Sequence, residues 1–294
     1  MSDTNTFVTN LKKSTGLRLL VLFGSFVLLL VATSVISEII KNSTFFTTRQ
    51  GLLAASALQC IFAFCIPAWL AARYASVAPM KWLGMAKVPT FKSLIGVIIV
   101  YILALPAMNC LIEWNASLHL PASLSSIEQT LRGWEEANAN VSRQLLDANG
   151  IMEVISGILV VGILAGLSEE MFFRGALQRI FADSGMGITF AIWGAAFIFS
   201  TFHFQFFGFF PRWIMGVFFG YLLVWTGSLW VAVFAHVLNN SIVVVSEAFA
   251  SQTGFMESIG TGVGSFPVIM PLSSAIITIV FLLWFGPFFF KSNR

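Results

Sequence analysis

The sequence predicts an all-α protein, a polytopic membrane bundle of about eight transmembrane helices. Three observations predict it. Of 294 residues, 57% are hydrophobic and only 10% charged, with a mean hydropathy of +0.88, against about 25% charged residues in an ordinary soluble domain. Runs such as "LLVLFGSFVLLLVA" and "IITIVFLLWFGPFFF" are continuously apolar, whereas a β-barrel alternates over segments of about ten residues. The Lys and Arg residues, finally, fall unevenly on the two sides that such a bundle defines.

Taken in order, apolar runs long enough to cross a bilayer, about 20 residues each, lie at 17–38, 51–74, 93–113, 150–182, 187–208, 212–227, 228–249 and 267–289. The first follows Lys12, Lys13 and Arg18 as a signal peptide would. It runs past the usual 7–15 residues of such a core and reads as a retained span. The run at 150–182 is too long for a simple crossing at about 1.5 Å per residue, so it must tilt or project. Assigned to alternate sides, Lys12, Lys13, Arg18, Arg73, Lys81, Lys87, Lys92, Arg174, Arg179, Lys291 and Arg294 face Lys41, Arg49, Arg132, Arg143 and Arg212. That asymmetry predicts both termini in the cytoplasm. Short loops without a targeting extension fit a bacterial cytoplasmic membrane.

The long polar segment at 114–149 carries Ile127, Leu131 and Trp134 at helical spacing between charges. It predicts an amphipathic helix on the outer surface that caps the bundle, with a substrate gate as the sharper alternative. Cys60, Cys65 and Cys110 all fall within spans and act as small apolar residues. The net charge of +3 comes from residues that set topology, with no basic patch, and excludes a nucleic-acid binder. No repeat or soluble module is visible, so residues 1–294 form one domain with a catalytic core at about 150–250.

An ionisable side chain deep in a bilayer costs about 2.5–3.5 kcal/mol on insertion scales and marks a functional site. Here such residues are few and grouped: Glu169, Glu170 and Arg174 in the fourth span, His203 in the fifth, and His236, Asn239 and Asn240 in the seventh. Glu170 and Arg174 lie four apart on one helical face and can form a charge-assisted pair. Glu169, rotated by about 100°, is left uncommitted and is the better candidate for chemistry. A hairpin turn near 183–187 brings Glu169 and His203 to similar depth, and "HVLNN" puts His236 and Asn240 on one helical face. A glutamate, two histidines and an asparagine converging in one cavity suit hydrolysis: a carboxylate or imidazole takes a proton from water, and an imidazole and an amide stabilise an oxyanion. Asn239 reads as a packing hydrogen bonder and His119 as incidental.

These residues resemble a known family. "EEMFFR", Glu169 to Arg174, is similar to the Glu-Glu-x-x-x-Arg motif of the CAAX protease and bacteriocin-processing family of intramembrane endopeptidases, also called the ABI family and including type 2 CAAX prenyl proteases. "FSTFH", Phe199 to His203, resembles its Phe-x-x-x-His motif, and "HVLNN", His236 to Asn240, its His-x-x-x-Asn/Asp/Ser motif. The resemblance implies hydrolysis of a peptide bond in a membrane-embedded or lipidated substrate. It implies that Glu169, assisted by His203, activates water, that His236 and Asn240 stabilise the oxyanion, and that Glu170 and Arg174 hold the helix. Members have been described as metalloproteases, and Glu169, His203 and His236 are a permitted zinc set; the His-Glu-x-x-His helix of common zinc proteases is absent. The expectation is a glutamate-activated water without a cofactor. Two other classes compete. A proton-coupled transporter would show duplicated halves, which this chain lacks, and a scaffold or immunity protein of the same fold would bind a partner without catalysis. The aromatic stretch 202–213 beside His203 reads as a membrane-interface belt, or as an apolar entry for substrate.

Overall fold

The computed structural model describes residues 14–40, 45, 48–148, 150–249 and 269–291. Lys12, Lys13, Lys41, Arg294 and the first two positions of the expected last span lie outside the described residues. Among the described residues there are helices and turns and no strand. Each expected span coincides with a helix: α1 Thr15–Ile40, α2 Arg49–Ala75, α4 Phe91–Ala116, α6 Ile151–Asp183, α7 Ile188–Thr201, α8 Phe209–Thr226, α9 Leu229–Phe249 and α10 Ile269–Trp284. Six are long and apolar enough to cross a membrane, α8 together with the single 3₁₀ turn before it, while α7 and α10 are shorter. The short helices α3 Pro79–Trp82 and α11 Gly286–Phe290 and the polar helix α5 Ser125–Leu146 complete the α-helices among the described residues. The three cysteines are free thiols.

Several polar groups inside the spans are satisfied locally, as a medium without water favours. Ser25 and Thr33 donate back to the carbonyls of Val21 and Leu29 one turn earlier. Pro106 interrupts α4, and Ser274 of α10 repairs the break. Its hydroxyl accepts from the Ala107 N–H at 3.3 Å and donates to the Leu103 carbonyl at 2.5 Å, standing in for the backbone bond those two groups would share. Thr48 and Thr90 cap α2 and α4 by accepting from the N–H groups of Gly51 and Ser93. Gly227, at φ +67°, closes α8 and starts the tight turn into α9.

The ends of the bundle are defined by contacts between elements. At one end Arg18 pairs with Asp183 at 3.0 Å, Lys87 Nζ donates to the Thr226 carbonyl, the Leu229 N–H donates to the Gly84 carbonyl, and Lys92 sits over the Phe288 ring. The first and last described helices therefore share an end, as the span count requires. At the other end Arg49 donates to Glu153 and Ser156, and α5 lies across the α7–α8 connection. There Glu135 accepts from the Phe207 N–H at 2.9 Å, and the Arg132 guanidinium stacks over the Phe207 ring at 3.8 Å. Ile127 and Trp134 remain half exposed on this helix. His119, exposed on the surface, meets Glu128 at 3.0 Å.

Helix α6 occupies the centre, against α2, α7, α8 and α9. Two glycine pairs spaced four apart let its neighbours approach. A Cβ at Gly162 would lie 2.8 Å from Ser241 Oγ, and one at Gly166 would lie 3.3 Å from the backbone of Val237, both on α9. On α8, a Cβ at Gly216 would lie 2.9 Å from Arg174 Nη2 and one at Gly220 2.6 Å from Gln178 Oε1. This is the small-xxx-small packing of membrane helices.

Replacing Ser274 by Ala leaves a donor and an acceptor of α4 unpaired, and reversible unfolding in detergent should show a loss of about 1–3 kcal/mol. A second prediction concerns α5. The Leu120 N–H, then Arg132 and His119, hold the Glu128 carboxyl well below its ordinary value of 4.5, down to about 2. A depressed folded value means that this staple is complete above about pH 4.5 and is lost as pH falls through about 2. Hydrogen exchange on α5 amides should therefore rise between pH 4.5 and 2 relative to the intrinsic rate, without a step between pH 5 and 8, and Glu128→Gln should abolish the step.

Candidate active site

Within α6 the backbone is wound as π-helix at Ile158–Leu164 and Met171–Leu177, on either side of the turn that carries Glu169 and Glu170. Such widened turns shift the phase of side chains and free carbonyls from the regular ladder, and they recur at functional sites. The Val161 carbonyl in the first π segment accepts from Asn240 Nδ2 of α9 at 3.0 Å. The Asn240 carbonyl oxygen accepts in turn from Asn239, whose own oxygen takes a hydrogen bond from the Tyr101 hydroxyl. Asn240 thus sits on the α9 face turned to α6 and latches the two helices together above the carboxylates.

Glu170 is fully buried and makes two charge-assisted contacts. Arg174 Nη1 donates to its Oε1 at 2.6 Å, and His236 Nδ1 donates to the same oxygen at 2.8 Å. Arg174 is also fully buried. Its guanidinium lies 4.4 Å from the Phe199 ring centre and 5.4 Å from that of Phe219, in the space left by Gly216. The His236 ring is stacked on Phe219 and edge-on to Phe199, which fixes its plane. Because Glu170 takes the Nδ1 proton, the Nε2 of a neutral His236 carries a lone pair.

That Nε2 faces Glu169. The nearest Glu169 oxygen, Oε2, is 3.7 Å away, beyond hydrogen-bond length, and is buried without any hydrogen-bond partner among the described residues. Glu169 is the more accessible of the two carboxylates, with 18% of its side chain exposed against none for Glu170. One carboxylate is therefore committed and its neighbour is open.

His203 lies past the end of α7, in the turn that follows Thr201, and not within a span reaching to residue 208 as the apolar run predicts. The helix ends at Thr201, the chain turns through Phe204 at φ +52°, and Gly208 precedes α8, whose first turn carries Pro211. The imidazole caps the helix it leaves. Its Nδ1 donates to the Phe199 carbonyl at 2.9 Å, an acceptor-only group, so a neutral His203 also presents a bare Nε2. The Phe199 ring stands between the histidines, 4.9 Å from His203 and 5.8 Å from His236.

Read from the sequence, Arg212 counts only as a topology charge. From the first turn of α8, its Nη2 donates to Gln205 Oε1, while Nη1 is buried with no hydrogen-bond partner among the described residues. As for zinc, no three His, Cys, Asp or Glu side chains lie together in a metal-holding group among the described residues. Glu169 and His236 approach to 3.7 Å, and no third such side chain joins them among the described residues. The donors as placed do not fit a three-ligand metal centre.

Residues 151–242 match the family model described as Type II CAAX prenyl endopeptidase Rce1-like. This interval contains Glu169, Glu170, Arg174, His203, His236, Asn240 and Arg212, and the match agrees with the resemblance carried by the three motifs. The family is one of proteases, and the match supports a CAAX-type intramembrane endopeptidase in general terms. No curated protein and no solved structure is matched by the chain.

Removing one member of a buried charge pair strands the other, at a cost of about 3–5 kcal/mol, whereas replacing both with apolar groups can be close to neutral. Arg174→Met alone should therefore unfold at markedly lower denaturant than wild type. Adding Glu170→Leu to it should recover much of that loss, a non-additivity that a double-mutant cycle in detergent measures directly.

Proposed function

Starting from an Rce1-like domain over residues 151–242, we propose that the chain is an intramembrane endopeptidase that hydrolyses a peptide bond through a water activated by Glu169. The observation that supports this best is the unpartnered Glu169 Oε2 beside the lone pair of a His236 held from behind by Glu170. Two acceptors aimed at one small space suit a water that donates to both. As its oxygen attacks the scissile carbonyl carbon, Glu169 takes one proton, the carbonyl π-bond opens, and the oxygen becomes an oxyanion. Collapse reforms the carbonyl and breaks the C–N bond, with the proton passing from Glu169 to the leaving amine. Glu170 acts through His236: it fixes the ring's tautomer, so that Nε2 accepts a hydrogen bond from the water.

Asn240 and His203 complete the site as positioning groups. Asn240 locks α9 to the π-wound turn of α6, keeping His236 opposite Glu169. His203 offers Nε2 on the far side of the Phe199 ring, where a substrate N–H or the leaving amine can donate to it. Because the donors do not form a three-ligand set, the reaction is written with a water and a carboxylate, without a cofactor. The substrate in this reading is a membrane-embedded or lipidated protein or peptide, since the site lies among apolar helices long enough to cross a membrane. The chain would reside in a bacterial cytoplasmic membrane with both termini cytoplasmic, the side that the Lys and Arg asymmetry favours.

The test is cleavage of a panel of membrane-tethered and prenylated peptides by purified wild type and Glu169→Gln, with and without a chelator. Removal of the general base should lower kcat by about 10²–10⁴ in a variant whose unfolding midpoint is unchanged, and wild-type cleavage should survive the chelator. Equal rates in the two proteins would remove Glu169 from the mechanism, and chelator-sensitive cleavage would replace the carboxylate mechanism with a metal one.

A further inference from the structure

We infer that Tyr101 is a positioning residue of the site, whose hydroxyl, acting through Asn239, sets which way the amide of Asn240 faces; this rests on the peptidase reading and adds to it two residues outside the three motifs. A chain of three hydrogen bonds carries the inference, crossing from α4 through α9 to α6. The Tyr101 hydroxyl donates to Asn239 Oδ1 at 3.1 Å, Asn239 Nδ2 donates to Asn240 Oδ1 at 3.2 Å, and Asn240 Nδ2 donates to the Val161 carbonyl at 3.0 Å. The direction of this chain is fixed by its ends. Val161 offers a backbone carbonyl, which only accepts, so Asn240 turns its NH₂ toward α6 and its oxygen away. Asn239 then has to present NH₂ to that oxygen, which leaves its own Oδ1 pointing at α4. A tyrosine hydroxyl can end such a chain as a donor. Phenylalanine at this position would leave the Asn239 oxygen without a hydrogen in apolar surroundings. Rotation of that amide would then set two oxygens against each other and turn Asn240 off Val161.

The register of the two helices puts Asn240 beside the reacting groups. α6 and α9 run antiparallel: a Cβ at Gly166 would lie 3.6 Å from the His236 Cβ, one at Gly162 2.8 Å from Ser241 Oγ, and one at Gly157 3.0 Å from a Val244 methyl. Asn240 therefore lies one turn from His236 toward the N-terminal end of α6, on the face that His236 shares. Side chains lean toward the N-terminus of their own helix, so Glu169 on α6 and Asn240 on α9 lean toward each other. His236 Nε2 faces the Glu169 carboxylate at 3.7 Å in the same space. An amide nitrogen carries two hydrogens. Val161 holds one of those on Asn240, and the other has no acceptor among the described residues. It is the hydrogen available to the oxygen of an attacked carbonyl, the role that the His-x-x-x-Asn resemblance implies for Asn240. That role and the latch onto α6 both need NH₂ on the α6 side, because a reversed amide would offer an oxygen to Val161 and to the developing anion alike. A donor oriented before the reaction stabilises such an anion more than one that has to turn during it.

The test compares kcat and KM of the full-length wild type, Tyr101→Phe, Asn239→Leu and the double variant in detergent, with the peptide of the membrane-tethered and prenylated panel that wild type cuts best. Tyr101→Phe removes only the hydroxyl oxygen. Its kcat should fall about threefold to tenfold, the range that one neutral hydrogen bond spans, with KM within about twofold of wild type, as when the transition state alone loses support. Asn239→Leu should lose at least as much, and in its background Tyr101→Phe should cost nothing further, because the hydroxyl acts through the amide it holds. Asn239→Ala takes the place of the leucine variant if that one does not fold. A hydrogen bond that merely joined helices would lower the unfolding midpoint and leave kcat per folded molecule unchanged. A kcat loss in Tyr101→Phe smaller than about threefold, a change confined to KM, or the full loss repeated in the Asn239 variant would overturn the inference while leaving the peptidase reading intact. If wild type cuts no peptide of the panel, the peptidase reading falls and this inference with it.

Discussion

The three-residue contact among Glu170, Arg174 and His236 is the constraint on which the rest of the site depends. A carboxylate and a guanidinium with no solvent exposure can persist only when Coulombic attraction and directed hydrogen bonds offset their desolvation. Here one carboxylate oxygen receives both an Arg174 and a His236 hydrogen, and two aromatic faces cover the guanidinium. The neighbours conform to this unit. Gly216 leaves room for Arg174 Nη2, and Gly166 lets α9 approach closely enough for His236 to reach across. The π winding begins immediately after Glu170 and adjusts the phase of Arg174. Helix packing, ring orientation and histidine tautomer all follow from one buried charge pair.

The same contact explains why two adjacent carboxylates have different fates. Successive residues on a helix point about 100° apart, so only one of them can share the face of Arg174. Glu170 takes that place, and one of its oxygens is held by both Arg174 and His236. Glu169 points into the space in front of His236, where no donor meets its Oε2. Within a bilayer an unsatisfied carboxylate oxygen is expensive, and the chain retains it beside a histidine whose remaining lone pair faces the same way. The open carboxylate thus depends on the closed one.

Much of this was legible in the sequence, and the residues that were not share a physical cause. The helical spans follow from hydropathy, and Glu170 with Arg174 from four-residue spacing. Grouping Glu169, His203, His236 and Asn240 needs only an antiparallel hairpin and equal depth. What periodicity could not supply is rotational phase across two π-wound turns, so the bond from His236 to Glu170 and the latch of Asn240 onto Val161 appear only in three dimensions. His203 reads as part of an apolar span because hydropathy does not register the break at Phe204. Gly162 with Gly166 and Gly216 with Gly220 were visible as spacings, but which helix each would admit was not.

The charges of the site are organised as two pairs of different kind. Glu170 and Arg174 are in contact and electrically closed. Glu169 and Arg212 are opposite in sign, and among the described residues no ion pair joins them. Gln205 occupies one arm of Arg212, and Ser200 and Asn115 pin the first turn of α8 that carries it. The helix α5, tied to Phe207 through Glu135 and Arg132, sits directly over this turn. The polar surface helix therefore bears on the chemistry through the geometry of the α7–α8 turn, without contributing a reacting group.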